Sequence, residues 1–560
     1  MVNCPYCGAE NAEGEVFCEE CGRPLKKPEK KKKEQKKYVE NANSQIIYVS
    51  NTQVIDRDNL EGYLMFPDEQ KLVEGKWELA FNCNIGKSLA EYLSEDESKK
   101  IKRIIEIENR ILAILEKVQD EKYIVGSCDL EDFYLPYGEV DKMVLRVVRP
   151  LMTEGKIPMG FSLGEFSAPE VKNQNLEYIA NRTDVYLAGI IFNRMIIDTK
   201  YVASNVDVQL FWGYTLTNGA YNDDGKKIRR FHHWLGDTLN MYASKRKKKI
   251  KDARFAFEKC CEIEISKINS DVVIEDVLKT NVGKGKKEFM ISAGREENEW
   301  NEDSIEKWEK QVADEHVTAY MLADGISNCD IGSGYIASNI IRENFKMVLE
   351  EYVDDSFADV SYEMVENLAH EIVKRSNQDI WKKACEYDNQ NGSIMGSTFV
   401  FIFIIGGAMY TYYLGDSPVY LIRKENAIPL YCPDSAGYEA LKKGMSYSDF
   451  KKLEGKDSIA LYVGGEYSRN ESDYYLKRSV DVMTLQENDI VIASSDGVLD
   501  YMGSNLSDTD WDRESALVKL LTKQEPLDMR ATHIISKDNK NGGGDNLSVI
   551  LIKVGGHNNE

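Results

Sequence analysis

"LADGISNCDIGSG", residues 322–334, ends an apolar run with Asp324 and Gly325. The residues before it, "AYMLA" (319–323), read as a buried strand. The same ending returns at Asp496 in "VIASSDG" (491–497), and Asp also stands at a strand boundary at Asp416 in "YYLGDS" (412–417) and at Asp545 in "GGGDNLSVILI" (542–552). One Asp-Gly is an ordinary turn, but acidic residues at four strand boundaries point to a cluster. Carboxylates gathered at adjacent strand ends repel one another unless cations lie between them. Hard oxygen ligands suit Mg2+ or Mn2+ rather than zinc. Glycine beside a ligand lets the backbone approach closely and offers its carbonyl.

The surrounding sequence supplies the layers. "HVTAYMLA", "STFVFIFI", "AMYTYYLG", "SPVYLIR", "DIVIAS" and "NLSVILIKV" are short β-rich runs. Between them, Ile336, Ile340, Ile341, Phe345, Val348, Leu349 and Tyr352 share one helical face, and Met364, Leu368, Ile372 and Val373 share another. Paired sheets flanked by long helices give a four-layer αββα sandwich of α+β class over residues 286–555. The greasiest run, "FVFIFIIGGAMY" (399–410), is far shorter than the roughly 20 residues of a membrane helix. Its Gly406-Gly407 predicts two strands joined by a turn.

The N-terminus reads differently. Cys4-x2-Cys7 and Cys18-x2-Cys21 are two thiolate turns that together close a tetrahedron around one structural zinc ion. Residues 1–25 resemble the small zinc ribbons found in bacterial multidomain proteins. A docking module and a self-stabilised cap fit them equally. Residues 26–44 include "KKPEKKKKEQKK" and read as a basic flexible linker. The remaining cysteines have no ligand spacing and are expected to be reduced.

In residues 45–265, "SKKIKRIIEIENRILAILEKV" (98–118) predicts a long buried helix. Further on, Ala168-Pro169-Glu170 precedes "DVYLAG" (184–189). This pair resembles the end of a protein-kinase activation segment and the helix after it. The resemblance implies a structural ion pair for Glu170, a brace on the catalytic loop for Asp184, and the base position for Asp129. Yet Tyr134 stands where the metal-binding Asn belongs, no Asp-Phe-Gly follows, and no glycine-rich phosphate loop precedes. A degenerate, pseudokinase-like α+β domain is expected, followed by a linker at 266–285.

Residues 286–555 resemble the metal-dependent Ser/Thr protein phosphatases of type 2C. The motifs that carry this are "NED" (301–303), "LADGISNCDIGSGYIAS" (322–338), "MGSTFVF" (395–401), "LGDSPVYLI" (414–422), "DIVIASSDGVLD" (489–500) and "GGGDNLSVILI" (542–552). The resemblance implies a binuclear Mg2+/Mn2+ centre. Asp324 would bridge both ions, and the Gly325 carbonyl would bind one. Asp496 and Asp545 would complete one shell, and Glu302 and Asp303 the other. A third ion would sit at Asp416, Asp496 and Asp500. Metal-activated water would then attack phosphorus. Arg295 is the candidate phosphate clamp, although it stands three residues further upstream of Glu302-Asp303 than the family's spacing. Ile326 stands where some relatives carry a histidine. No cysteine has Arg six positions on, so a thiol phosphatase is excluded. Residues 432–476 resemble the family's variable flap beside the site.

The net charge of −23 argues against nucleic acid as a partner. The residues at the N-terminus include glutamates and cysteines rather than an apolar leader, so a soluble cytoplasmic protein is expected. The expected function is phosphoserine/phosphothreonine protein phosphatase. Its partners are phosphoproteins and a cognate kinase or regulator met by the middle domain or the ribbon. The alternative is a catalytically silent scaffold on the same domains.

Overall fold

The computed structural model describes residues 59–83, 86–95, 101–196, 230–240, 242–261, 272–284, 301–313, 315–387, 392–442, 453–469, 473–503 and 510–555, with strand segments at 2–3, 10–11, 39–41 and 44–49. The chain forms two compact units. One comprises residues 1–212, 234–261 and 446–452, the other residues 213–233, 262–445 and 453–560. Among the described residues, no helix is long and apolar enough to cross a membrane.

In the first unit, Ile101–Asp120 forms the expected long helix, burying Ile111, Leu112, Ile114, Leu115 and Val118. A four-stranded sheet pairs Leu64–Met65, Val144–Arg146, Phe133–Pro136 and Gly86–Ser88. Helix Arg182–Ile196 is buried along most of its length, as an element in the middle of a core must be. Phe192, Trp234 and Phe257 meet edge to face, with centroids 4.9–5.5 Å apart. At the N-terminus, Val2–Asn3 pairs with Glu10–Asn11. Val39–Asn41, within the stretch expected to be a linker, pairs with Ser44–Val49.

In the second unit the strands of the two large sheets are β1 (Val273–Val282), β2 (Ser304–Val312), β3 (Glu315–Ala323), β4 (Phe399–Ile405), β5 (Ala408–Leu414), β6 (Val419–Arg423), β7 (Asn426–Pro429), β8 (Asp481–Thr484), β9 (Ile490–Ser494) and β10 (Asn546–Gly555). They form two five-stranded sheets, β1-β10-β9-β6-β7 and β2-β3-β4-β5-β8, with every pairing antiparallel. The run 399–410 is the expected pair of strands, turning at Gly406 and Gly407, both at positive φ. The stretch 266–285, expected to be a linker, instead contributes β1. Half-buried Ile274 and Leu278 pack into the core, while its charged residues keep the edge soluble.

Alternation along each strand makes three apolar layers. Tyr320, Leu322, Val400, Ile402 and Ile404 meet Val419, Leu421, Val491, Ile550 and Ile552 between the sheets. The opposite faces of β3 and β4, with Met321, Phe401 and Phe403, pack against α1 (Gly334–Tyr352) and α2 (Tyr362–Ala384). Ile492, Val549 and Leu551 pack against α3 (Asp496–Met502), α4 (Asp510–Leu521) and α5 (Leu527–Lys540). The layering is αββα. Burial on both faces explains why the strands read as continuous apolar runs rather than as a two-residue alternation.

Candidate functional site

Register brings the acidic residues to one end of the sandwich. Ser304 lies opposite Ala323, so the next position places Asp303 opposite Asp324. Leu322 lies opposite Val400, which carries Asp324 to Thr398. There the Asp324 N–H donates to Thr398 Oγ1 at 2.9 Å, and the Thr398 N–H donates to the Asp324 carbonyl at 2.9 Å. Phe399 opposite Leu414 brings Gly415 and Asp416 to the same end. In the other sheet, β9 ends at Ser494 and Asp496 opens α3. Asp545 directly precedes β10, and its carbonyl accepts from the Gly283 N–H at 2.9 Å.

Smaller contacts fix these ends. Thr398 Oγ1 lies 2.7 Å from Ser417 Oγ, which links the Asp324 strand to the Asp416 turn. Ser397 Oγ donates to the Asp324 carbonyl at 2.9 Å. The Glu302 N–H donates to Asn546 Oδ1 at 3.1 Å, and the Asn546 N–H donates to Asp545 Oδ1 at 2.7 Å. The two sheets are therefore bridged beside the acids. The Ser327 hydroxyl donates to the Glu302 carboxylate. At Gly325 an added Cβ would lie 2.4 Å from the Gly334 backbone and 2.6 Å from the Glu302 carbonyl. At Gly497 it would lie 2.5 Å from the Asn546 carbonyl. Both glycines therefore serve close backbone approach, as the sequence suggested.

The electrostatics follow from this crowding. Burial holds the Asp324 carboxyl well above the usual range, and the charges of Asp303, Asp496, Asp545 and Asp416 push it further. Burial also raises Asp496, aided by Asp416, Asp545 and Asp500, while a hydrogen bond with the Asp324 side chain opposes the rise. Asp416 is pushed up to about 6 by burial, with Asp434 and Asp500 adding to it. Glu302 and Asp303 are buried. Asp500 lies at the rim with its side chain 63% exposed, 3.2 Å from Arg513. Among the described residues, no three His, Cys, Asp or Glu side chains stand arranged to hold a metal ion. The acids share one electrostatic environment without forming a ready-made coordination shell. Arg295, Cys4, Cys7, Cys18 and Cys21 lie outside the described residues.

Sequence reading missed Thr398, Ser417 and Asn546. Their motifs were visible, but a cross-strand hydrogen bond leaves no pattern in one chain.

In the first unit, the Asp184 carboxylate accepts the N–H groups of Val125 at 3.0 Å and Gly126 at 2.7 Å. Glu170 forms a buried ion pair with Arg246 at 2.8 Å. Asp129 is bound by Arg149, which also holds Asp132.

About half of the chain shares homology with metal-dependent Ser/Thr phosphatases of the PPM type, and the N-terminus carries a zinc-ribbon domain whose family model matches residues 3–25. The serine/threonine phosphatase stp of Listeria innocua is 24% identical over 268 residues, 48% of this chain and 94% of the relative. Protein phosphatase PhpP of Streptococcus pneumoniae is 25% identical over 238 residues, 42% of this chain and 86% of the relative. Among solved structures, the S. agalactiae serine/threonine phosphatase is 22% identical with a TM-score of 0.38, covering 50% of this chain and 99% of its own. The catalytic domain of the phosphatase PstP in complex with two manganese ions is 16% identical with a TM-score of 0.35, covering 51% of this chain and 100% of its own.

Proposed function

We propose that this chain is a protein phosphatase that hydrolyses phosphoserine and phosphothreonine at a binuclear Mg2+/Mn2+ centre. One observation carries the reading. Asp303, Asp324, Asp416, Asp496 and Asp545 arrive from separate strand ends at one place, Asp303 buried and the other four half-buried, where Asp324 and Asp496 are forced towards their neutral forms. Like charges brought together in a core are costly, and divalent cations remove that cost. The donor set, carboxylate oxygens with a backbone carbonyl, fits hard cations.

Asp324, Gly325, Asp496 and Asp545 would hold one ion, and Asp324, Glu302 and Asp303 the other, with Asp416 and Asp500 at a third. When bound, such ions supply an acidified water and neutralise charge on the phosphoryl group. The chain's own part is positioning. Thr398 and Ser397 hold the Asp324 backbone, and Asn546 ties Glu302 to the Asp545 turn. Ile326 offers no proton to the leaving group. Arg295 remains the candidate phosphate clamp.

The domain reading extends this. Residues 1–25 form a zinc ribbon with Cys4, Cys7, Cys18 and Cys21 as ligands, and residues 286–555, joined by β1, form the phosphatase domain. Residues 45–265 are a pseudokinase-like regulatory domain in the cytoplasm. The Asp184 brace and the Glu170–Arg246 pair support that reading, as does an Asp129 engaged by Arg149.

A silent scaffold is the competing reading, and the displaced register of Arg295 against Glu302-Asp303 supports it. Assays on p-nitrophenyl phosphate and a phosphothreonine peptide separate the two. Activity is expected with Mn2+, none with EDTA, and a loss of about 100-fold or more in Asp496→Asn. Activity that survives EDTA or the substitution would refute the two-metal reading. An inert, folded wild-type chain would establish the scaffold.

A further inference from the structure

The flap-like stretch 432–476 meets the acidic cluster at two places: Val463–Gly464 pairs with Gly396–Ser397 beside Asp324, and one buried carboxylate, Asp434, holds the Gly415 turn. Asp434 is fully buried, and each of its polar groups is used. Its N–H donates to the Gly415 carbonyl at 3.0 Å, and its carboxylate accepts the Gly415 N–H at 3.2 Å. Its carbonyl accepts the Ala460 N–H at 2.6 Å. Its other carboxylate oxygen pairs with Arg478, a side chain only 8% exposed. Arg478 also donates to Tyr413 Oη at 2.7 Å and lies over that ring, 4.3 Å from its centroid. The Arg478 carbonyl in turn lies 2.9 Å from His370 Nε2 on α2.

Gly415 has no freedom to yield. Its φ is +109°, and an added Cβ would lie 2.7 Å from Thr398. The turn that carries Asp416 is therefore wedged between Thr398, which holds Asp324, and Asp434, which ties the start of the flap to Ala460 within it and to Arg478 just beyond it.

We propose that the Asp434–Arg478 pair is a positioning device. It locks the flap residues 432–442 and 453–469 to the Gly415–Asp416 turn, so that these segments and the acidic cluster move together. Neither residue touches the reacting atoms. The geometry of the lock stands by itself, and its catalytic consequence rests on the phosphatase reading. A hydrogen-bonded buried pair defines one arrangement of two segments where apolar packing would permit several.

Native-state hydrogen exchange of the full chain in rising urea tests the lock without turnover. The Gly415 and Ala460 amides are expected to exchange through one shared opening, with equal protection and equal urea dependence. Independent protection of these two amides would overturn the proposal. In Asp434→Asn/Arg478→Gln, which leaves no unpaired buried charge, both amides are expected to exchange about tenfold faster or more. The KM for a phosphothreonine peptide is expected to rise by about the same factor. Wild-type protection at both sites in the double variant would also overturn it. A wild-type chain inert on p-nitrophenyl phosphate would count against the phosphatase reading alone, because exchange needs no activity.

Discussion

At the scale of single residues, Asp538 poses an energetic question outside the acidic cluster. It lies on α5, fully buried, and neither carboxyl oxygen has a hydrogen-bond partner. Burial pushes its pKa up to about 8, with Lys537 opposing weakly. The unfolded chain ionises this group near pH 4. Between pH 4 and pH 8 the unfolded state therefore binds fewer protons than the folded one, and stability falls as pH rises through that window. Above about pH 8 both states are ionised and the loss levels off. Asp538→Asn is expected to raise stability by about 2–5 kcal/mol at pH 8 and to change it little at pH 4. Urea midpoints at the two pH values measure this, and an equal effect at both would remove burial as the cause. Asp538 was silent in the sequence because one acid on an amphipathic helix reads as solvated. Asp324, Asp416, Asp496 and Asp545 were legible because each stands at the boundary of an apolar run. Arg295 was legible only as a position in a motif, and its register with Glu302-Asp303 falls outside the described residues.

At the scale of elements, the acids depend on how strands meet helices. Gly325 packs against Gly334 at the start of α1, so the β3 end and the α1 start touch through backbone alone. A methyl group there meets backbone atoms that cannot rotate aside. Gly325→Ala is expected to cost about 1–3 kcal/mol and to displace Asp324, with Mn2+-dependent activity falling more steeply than the thermal midpoint. Full activity in that variant would show that the close approach is dispensable. The long helices and the 399–414 hairpin could be read from periodicity and from Gly406-Gly407. Strand β1 could not. Its sequence, "VIEDVLKTNV", is polar because it lies at the edge, and what defines it is β10, more than 250 residues later. A fragment beginning at residue 272 is therefore expected to unfold cooperatively. One beginning at 286 leaves the β10 edge uncovered and is expected to aggregate or to unfold at lower urea. Equal midpoints for the two fragments would make β1 an accessory.

At the scale of the whole molecule, two kinds of metal chemistry are expected on one acidic chain, and they can be separated. Thiolates at the N-terminus suit zinc, whereas the oxygen-rich cluster suits Mg2+ or Mn2+. Cys18→Ser is expected to remove zinc from the purified chain and to leave the response to Mn2+ intact. That response is large if the acidic cluster binds. A ligand specific to the folded state, present at a hundred times its dissociation constant, adds about 2.7 kcal/mol of stability. Asp496→Asn should move the two states in opposite directions. Without metal it relieves repulsion among buried acids and raises the thermal midpoint. With Mn2+ it removes a ligand and erases the shift. A silent scaffold whose carboxylates serve packing alone gives neither effect, since substitution there only loosens the fold. Thermal unfolding of wild type and Asp496→Asn, with and without Mn2+, decides the matter by the sign of the change in metal-free protein. A lower midpoint without metal, together with a retained Mn2+ shift, would mean that Asp496 is held by its neighbours and not by an ion.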